Sequence, residues 1–345
     1  MNSFFYNNDF MLNGNSYSLE SLLSTTKHSA PLLFLFLKQW TNKNSTITLQ
    51  TSGSTGKPKE IQMPKDKMIL SAKRTGKYLN LQAKEKALCC LPLNYIAGKM
   101  MVVRALVLGL DLYLTKPSKN PLKTFPFNFD FVAFTPYQLE HSLKQLNKIK
   151  TLIVGGSPIS EKTKKLLYRN KTNVYETFGM TETVSHIALK HISQGKKEFK
   201  ALNGVRFETE NHCLKIFCDS ILKTPLLTND IVDLISEKKF VWKGRTDFVI
   251  NSGAIKIFPE LLEKKLRQVF FIPFIIFGFP DEKLGKKISI VFEGKTPYNF
   301  EKLIKTLDSF ERPKKVFNLK VFPRNNNKLL RKKIITEILN TYEPN

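Results

Sequence analysis

The stretch Thr51-Ser52-Gly53-Ser54-Thr55-Gly56-Lys57-Pro58-Lys59 follows directly on Ile47–Thr51, a β-branched run that reads as a strand. Its two glycines let the backbone bend and come close to an anion. Its hydroxyl side chains and successive backbone N–H groups are donors for phosphate oxygens, and Lys59 adds charge. It is not a Walker A loop. Thr51 stands where that motif has its first glycine, and Pro58 where it has the Ser or Thr that holds Mg²⁺.

Outward from this loop, apolar runs alternate with segments of helical period. Lys65–Leu79 reads as a helix, Lys86–Leu91 as a strand, Gly98–Leu108 as a helix and Asp111–Leu114 as a strand. Phe129–Thr135 (strand), Pro136–Leu146 (helix with Pro in its first turn), Thr151–Val154 (strand), Glu161–Tyr168 (helix) and Asn173–Glu176 (strand) continue the series. Strands joined by helices predict a mainly parallel α/β sheet. After about residue 203 the pattern changes. Cys213–Asp219, Leu226–Leu227, Ile231–Ser236 and Phe240–Lys243 read as short strands of an antiparallel patch. The segments Pro259–Val269 (helix), Phe274–Phe279 and Lys287–Phe292 (strands), Asn299–Leu307 (helix), Lys315–Phe322 (strand) and Leu330–Leu339 (helix) make a compact α+β module. The boundary is placed near Lys243–Phe248. This gives a large domain at 1–245 and a small one at 246–345.

Composition bounds the function. The chain has 345 residues, 42% of them apolar and 24% charged, which is ordinary for a globular protein with a core of its own. Its 55 basic and 29 acidic residues leave a net charge of +26, which favours anionic partners. A bias toward Lys, Asn, Ile and Phe along the whole chain is an equally good origin for that charge. No helix-turn-helix, RNA-binding aromatic motif or zinc finger supports a nucleic-acid role. The four cysteines show no C-x-x-C spacing, and His186 and His191 are not spaced as a helical metal pair, so a zinc site is not expected. Buried reduced thiols fit the cytoplasm. The N-terminus carries no signal-peptide pattern. Pro31–Leu37 and Val269–Phe279 fall well short of the roughly 20 residues of a spanning helix and read as core.

The loop at 51–59 resembles the phosphate-binding loop of the adenylate-forming superfamily, which includes acyl-CoA synthetases and peptide-synthetase adenylation domains. Other matches follow in that family's order. Gly155-Gly156-Ser157-Pro158 resembles the Gly-Gly turn beside the nucleotide base, and Tyr175–Glu182 the aromatic-Gly-x-Thr-Glu motif. Thr228-Asn229-Asp230 resembles Thr-Gly-Asp. Gly244-Arg245-Thr246-Asp247 with Ile250–Lys256 resembles the hinge motif, and Pro323–Lys328 with Arg331 the C-terminal Pro…Gly-Lys-x-x-Arg motif.

The resemblance implies a fold of a large adenylation domain, shortened before the phosphate loop relative to the family, and a small mobile C-terminal domain. It implies ATP, Mg²⁺ and coenzyme A as cofactors and a small-molecule carboxylic acid as substrate. It assigns Ser52, Gly53, Ser54, Thr55 and Gly56 with Thr51 and Lys59 to the phosphates, Gly155, Gly156, Ser157, Phe178 and Gly179 to the base, and Asp230 and Arg245 to the ribose. Thr181 takes the α-phosphate and Glu182 the Mg²⁺, while Lys328 bridges the acid and the α-phosphate. Asp247 is the hinge, about which the small domain rotates to bring Ser252-Gly253-Ala254 to the thiol path. Fixed cations and donors aimed at a phosphoryl group that gains charge are what such a reaction needs.

Asn229 and Asn327 stand where the family has glycine, and Asn is the side chain best tolerated at positive φ. Leu91-Pro92-Leu93-Asn94-Tyr95-Ile96-Ala97-Gly98 resembles the Leu-Pro-Leu-x-His-x-x-Gly stretch of bacterial o-succinylbenzoate–CoA ligases of menaquinone biosynthesis, with Tyr95 in place of histidine. That substrate has a second carboxylate. Arg104, which can bind one bidentately, and Lys99 are its candidate partners together with Tyr95. Arg104 reads equally as a surface cation of its helix. Other acyl- or aryl-CoA ligases and carrier-loading adenylation enzymes remain open, as does the choice between monomer and homodimer.

Overall fold

The computed structural model describes residues 6–51, 59–253, 255–325 and 328–342. It is a mixed α/β protein with a large sheet, and it divides into two compact units. The first comprises Met1–Ile159, Thr163–Arg206 and Phe217–Leu226. The second comprises Ser160–Lys162, Phe207–Ile216 and Leu227–Asn345.

In the first unit the strands Asn173–Gly179, Ile149–Val154, Phe129–Phe134, Lys86–Cys89 and Asp111–Leu114 lie side by side in that order, all parallel. They are nearly continuous apolar runs, as strands covered on both faces must be. His186–His191 and Phe199–Ala201 extend the sheet antiparallel beyond Asn173–Gly179. The helix Lys65–Leu79 ends on Asn80 in the left-handed region (φ 53°), and Ile96–Leu108 ends on Gly109 (φ 71°). Pro136–Ser142 starts with a reciprocal capping box between Thr135 and Gln138 and passes into a 3₁₀ turn, Leu143–Lys148. The helix expected to reach Leu146 is therefore split. Ile96–Leu108 is buried almost all round, from Met100 to Leu106. The sheet core packs Leu88, Phe129, Val132, Phe134, Leu152 and Val174 together. Leu19–Ser29 and Pro31–Thr41 form two helices, the second enclosing the expected core run Pro31–Leu37.

In the second unit Leu226–Ser236 is one strand, paired antiparallel with Lys239–Arg245. The two short strands expected there are fused through Thr228-Asn229-Asp230. A second sheet has the order Ile255–Ile257, Ile250–Ser252, Gly285–Glu293, Phe274–Asp281, with Lys315–Leu319 parallel to Gly285–Glu293. The helices Pro259–Leu266 and Arg331–Tyr342 belong to two cores on this sheet. One holds Phe270, Phe274, Ile276 and Phe292, the other Ile275, Phe277, Val291, Ile334 and Ile338. This is alternation of side chains to opposite faces of one strand. The hairpin Arg324–Asn325/Lys328–Leu329 precedes the last helix.

Candidate active site

In the first unit the expected base-side residues converge. The Ile149–Val154 strand ends at Gly155, whose N–H donates to Phe134 O (3.1 Å). A Cβ on Gly155 would sit 2.4 Å from Thr177 Oγ1 on the neighbouring strand, so any larger residue would have to displace the Thr177 hydroxyl. Gly156 has φ +93° and open space where a Cβ would point, and Ser157 is exposed. Phe178 is half-buried beside them, its ring centroid 5.6 Å from that of Phe199. Gly179 ends the strand, packed so closely that a Cβ would meet Ser185 O at 2.4 Å. A tight turn follows, in which Thr183 Oγ1 accepts from Met180 N–H (3.0 Å), leaving Thr181 half-exposed and Glu182 exposed. The open glycine turn and the half-buried Phe178 ring lie at the ends of adjacent parallel strands, a setting that would accommodate a purine. Among the described residues no group of three or more His, Cys, Asp or Glu side chains is placed to hold a metal. Mg²⁺ at Glu182 would therefore rely on phosphate oxygens for the rest of its shell, as is usual for this ion.

Beneath that turn lies a buried polar cluster that the sequence did not announce. Arg104, 2% exposed, projects from the apolar helix Ile96–Leu108. Its Nη2 donates to Ser185 Oγ (2.8 Å) and to His186 Nδ1 (3.4 Å). An arginine can only donate, so Nδ1 is the unprotonated nitrogen and Nε2–H donates to Thr75 Oγ1 (3.0 Å). Thr75 in turn donates to Ser71 O (3.1 Å). Burial pushes the Arg104 guanidinium down to about 10. Burial, and then the Arg104 charge, hold the His186 imidazole well below its usual range. Arg104 Nε has no hydrogen-bond partner, and among the described residues the guanidinium's contacts are Met101, Ser185 and His186 rather than a carboxylate. The surface-cation reading of Arg104 is thus set aside. From the sequence His186 is weighed only for metal spacing, whereas the structure ties it to Thr75 and Arg104.

Tyr95 is the half-buried residue preceding the Ile96–Leu108 helix. Gly98 is where that helix meets the backbone of Pro92, since a Cβ would lie 2.4 Å from Pro92 O. Lys99 Nζ donates to Thr48 O (3.4 Å) on the strand Thr46–Thr51, and burial lowers its pKa. The helix start thus abuts the strand that leads into the glycine-rich stretch. Thr51 and Lys59 pair across the antiparallel Thr46–Thr51/Lys59–Pro64 ladder. Ser52, Gly53, Ser54, Thr55 and Gly56 lie outside the described residues.

In the second unit, Asp230 and Arg245 are directly paired across strands. Asp230 is buried, accepts from Trp242 Nε1 (2.9 Å) at Oδ1, and has Arg245 Nη1 at 3.8 Å. Burial raises its pKa, opposed by Trp242, Arg245 and Thr228. Trp242 was not picked out from the sequence. Asp247 sits in a short 3₁₀ turn and takes Asn229 Nδ2 at 3.0 Å, Arg245 Nη2 at 3.2 Å and Lys332 Nζ at 3.9 Å. Asn229 is not in the left-handed region; it keeps strand geometry and uses its side chain on Asp247 instead. Gly253 (φ +61°) turns the chain after Ser252, its N–H on Leu284 O (2.8 Å). Ala254 and Asn327 lie outside the described residues. Lys328 pairs with Asn325 in the hairpin, which a two-pronged Arg324–Glu293 ion pair fastens to the sheet (Nη2 to Oε2, 2.6 Å). Arg331 is a structural anchor: it pairs with Glu263, donates to Ile276 O and lies over the Phe248 ring (4.9 Å).

A family model described as AMP-binding enzyme matches residues 15–207. A 2-succinylbenzoate–CoA ligase of Listeria monocytogenes serotype 4b (strain F2365) is 27% identical over 307 residues, 80% of this chain and 64% of that protein. The chain therefore spans less than two thirds of that relative's length. The solved structure of an acyl-CoA synthetase (AMP-forming)/AMP-acid ligase II-like protein from Dyadobacter fermentans DSM 18053 is 32% identical, covers 89% of this chain and 93% of that one, and superposes with a TM-score of 0.61. The O-succinylbenzoate coenzyme A synthetase of Bacillus subtilis, solved with ATP and a magnesium ion, shares the fold at a TM-score of 0.73 and 19% identity, over 92% of this chain and 82% of that one.

Proposed function

From the premise that this chain belongs to the AMP-binding enzyme family, we propose that it is an AMP-forming acid–thiol ligase whose acid is o-succinylbenzoate or a close dicarboxylic relative. Arg104 supports the choice of acid. A guanidinium buried to 2% exposure without a carboxylate is costly to maintain, and a substrate with a second carboxylate would repair that deficit. The named ligase activity of the Listeria relative supports the same reading.

In the first step the activated carboxylate of the acid attacks the α-phosphorus of ATP, and pyrophosphate leaves. Thr181 donates to the α-phosphate and Lys328 bridges the two anions, offsetting charge as it builds. The stretch 51–59 holds the outer phosphates, Gly155–Ser157 with Phe178 and Gly179 hold the base, and Asp230 with Arg245 holds the ribose hydroxyls. Glu182 would hold Mg²⁺, which when bound would supply neutralisation of phosphate charge. In the second step the thiol sulfur of coenzyme A attacks the acyl carbon, its proton is lost and AMP leaves. Asp247 is the hinge about which the segment 246–345 turns between the steps, bringing Ser252 and Gly253 to the thiol. Tyr95 and Lys99 line the acid side.

The test is pyrophosphate release by the purified chain with ATP and Mg²⁺ across a panel of acids, followed by addition of coenzyme A or a phosphopantetheinyl carrier protein. Release confined to o-succinylbenzoate-like diacids, with thioester formed on coenzyme A, is the expected result. Silence with every acid would overturn the proposal. Equal rates with monocarboxylates would overturn the role of Arg104.

A further inference from the structure

Glu176 has no role in the scheme above, yet it is buried and held by a backbone N–H and two lysines. It is 4% exposed and lies on the strand that ends in Phe178 and Gly179, two residues before Phe178 and on the same face. One of its oxygens accepts from the Ile159 N–H at 2.8 Å. Ile159 is the residue that leaves the Gly155–Pro158 turn, so this bond fixes the turn's exit, as the Gly155 N–H on Phe134 O fixes its entry. The other oxygen pairs with Lys190, its direct cross-strand partner, and with Lys164 Nζ at 3.5 Å. Lys190 Nζ also stands 4.2 Å from the ring centroid of Phe199, and Phe199 packs on Phe178. Burial alone would raise the Glu176 carboxyl. Lys190, then Lys164 and the hydrogen bonds, hold it below the usual carboxylate range instead, so it stays charged.

These contacts join the two walls described above. One branch runs from Glu176 through Ile159 to the glycine turn. The other runs through Lys190 and Phe199 to the Phe178 ring. We propose that Glu176 is a positioning residue that sets the spacing between the Gly155–Pro158 turn and Phe178, and so the affinity for the base of the nucleotide. This rests on the reading that these walls take adenine. Displacements of about an ångström at such walls change binding and rate steeply.

The probes are ATP and inorganic tripolyphosphate, which presents the phosphates without a base, titrated against the 345-residue chain. Glu176→Gln keeps an acceptor for Ile159 but not the charge for the lysines, and Glu176→Leu keeps neither. The expected result is ATP affinity lower by roughly tenfold in Glu176→Gln and further in Glu176→Leu, with tripolyphosphate affinity unchanged and kcat at saturating ATP within about twofold. Should either variant fail to fold, Lys190→Met cuts the second branch alone and is expected to show the same selective loss. Folded variants that bind ATP as the parent does, or that lose ATP and tripolyphosphate equally, overturn the proposal. A parent chain that binds neither probe instead overturns the nucleotide reading itself.

Discussion

Replacing Arg104 by methionine should move stability and acid binding in opposite directions. The guanidinium sits in the buried middle of its helix, has an Nε without a hydrogen-bond partner, and among the described residues makes polar contacts with Ser185, His186 and the sulfur of Met101 (3.9 Å). Its lowering by burial to about 10 corresponds to a cost of roughly 3 kcal/mol for keeping that charge buried. Methionine has similar length, leaves no large cavity and removes the charge, so Arg104→Met should hold or raise the free protein's stability, by up to about 2 kcal/mol after the lost Ser185 and His186 bonds are counted. The same change should weaken the acid. Removing one partner of a buried charge pair costs about 2–5 kcal/mol, which is at least ~30-fold in affinity. The assays are urea unfolding of the free chain and the acid's KM in pyrophosphate release at saturating ATP. Loss of more than about 2 kcal/mol of stability with an unchanged KM would refute the reasoning, because it would make Arg104 a structural residue already satisfied by its neighbours.

Other perturbations test separate parts of the same picture. Gly98→Ala places a Cβ 2.4 Å from Pro92 O, a backbone atom that cannot swing aside, and should cost about 1–3 kcal/mol; a melting midpoint within a degree of the parent would contradict that close approach. Asn229→Gly removes the 3.0 Å bond to Asp247 between exposed groups, worth about 1 kcal/mol, and should raise the thioester step several-fold relative to adenylation; equal change in both steps would dissociate Asn229 from the hinge. His186 is neutral in the folded chain and titrates near 6.5 when unfolded, so below that pH the unfolded state binds the extra proton. Its contribution to stability is complete above about pH 6.5 and is lost as pH falls, by about 1 kcal/mol between pH 7.5 and 5.5. Urea midpoints should show this slope in the parent and a flatter one in His186→Gln; parallel slopes would count against a buried neutral imidazole.

Local pattern and burial explain what was readable in advance. Lys65–Leu79 and Asp111–Leu114 are bounded correctly because helical period in the one, and a short apolar and aromatic run following Gly109 in the other, leave little room for alternatives. Leu226–Ser236 was read as two strands because Thr228-Asn229-Asp230 puts polar side chains where a strand should be apolar, and Asp230 there is buried against Trp242. Residues with chemistry to perform interrupt the pattern that identifies their element. The His186–His191 strand was missed for the same reason, its first residue being spent on Arg104 and Thr75. Whether a helical arginine faces solvent or core depends on how neighbouring layers stack, as the contrast between the Arg104 expectation and its burial shows. Asn229 teaches a related point. Asn would tolerate a positive φ if the position required one, but the fold keeps an extended backbone and gives the amide a partner 18 positions away.

The indole of Trp242 donates to the aspartate assigned to the sugar, and the chain has only one other tryptophan, Trp40, which is 1% exposed in a separate helix. A ligand bound to Asp230 would share its carboxylate with this indole. The protein therefore contains its own optical reporter: emission from one half-exposed fluorophore should respond to occupancy without any label, against a constant background from the other.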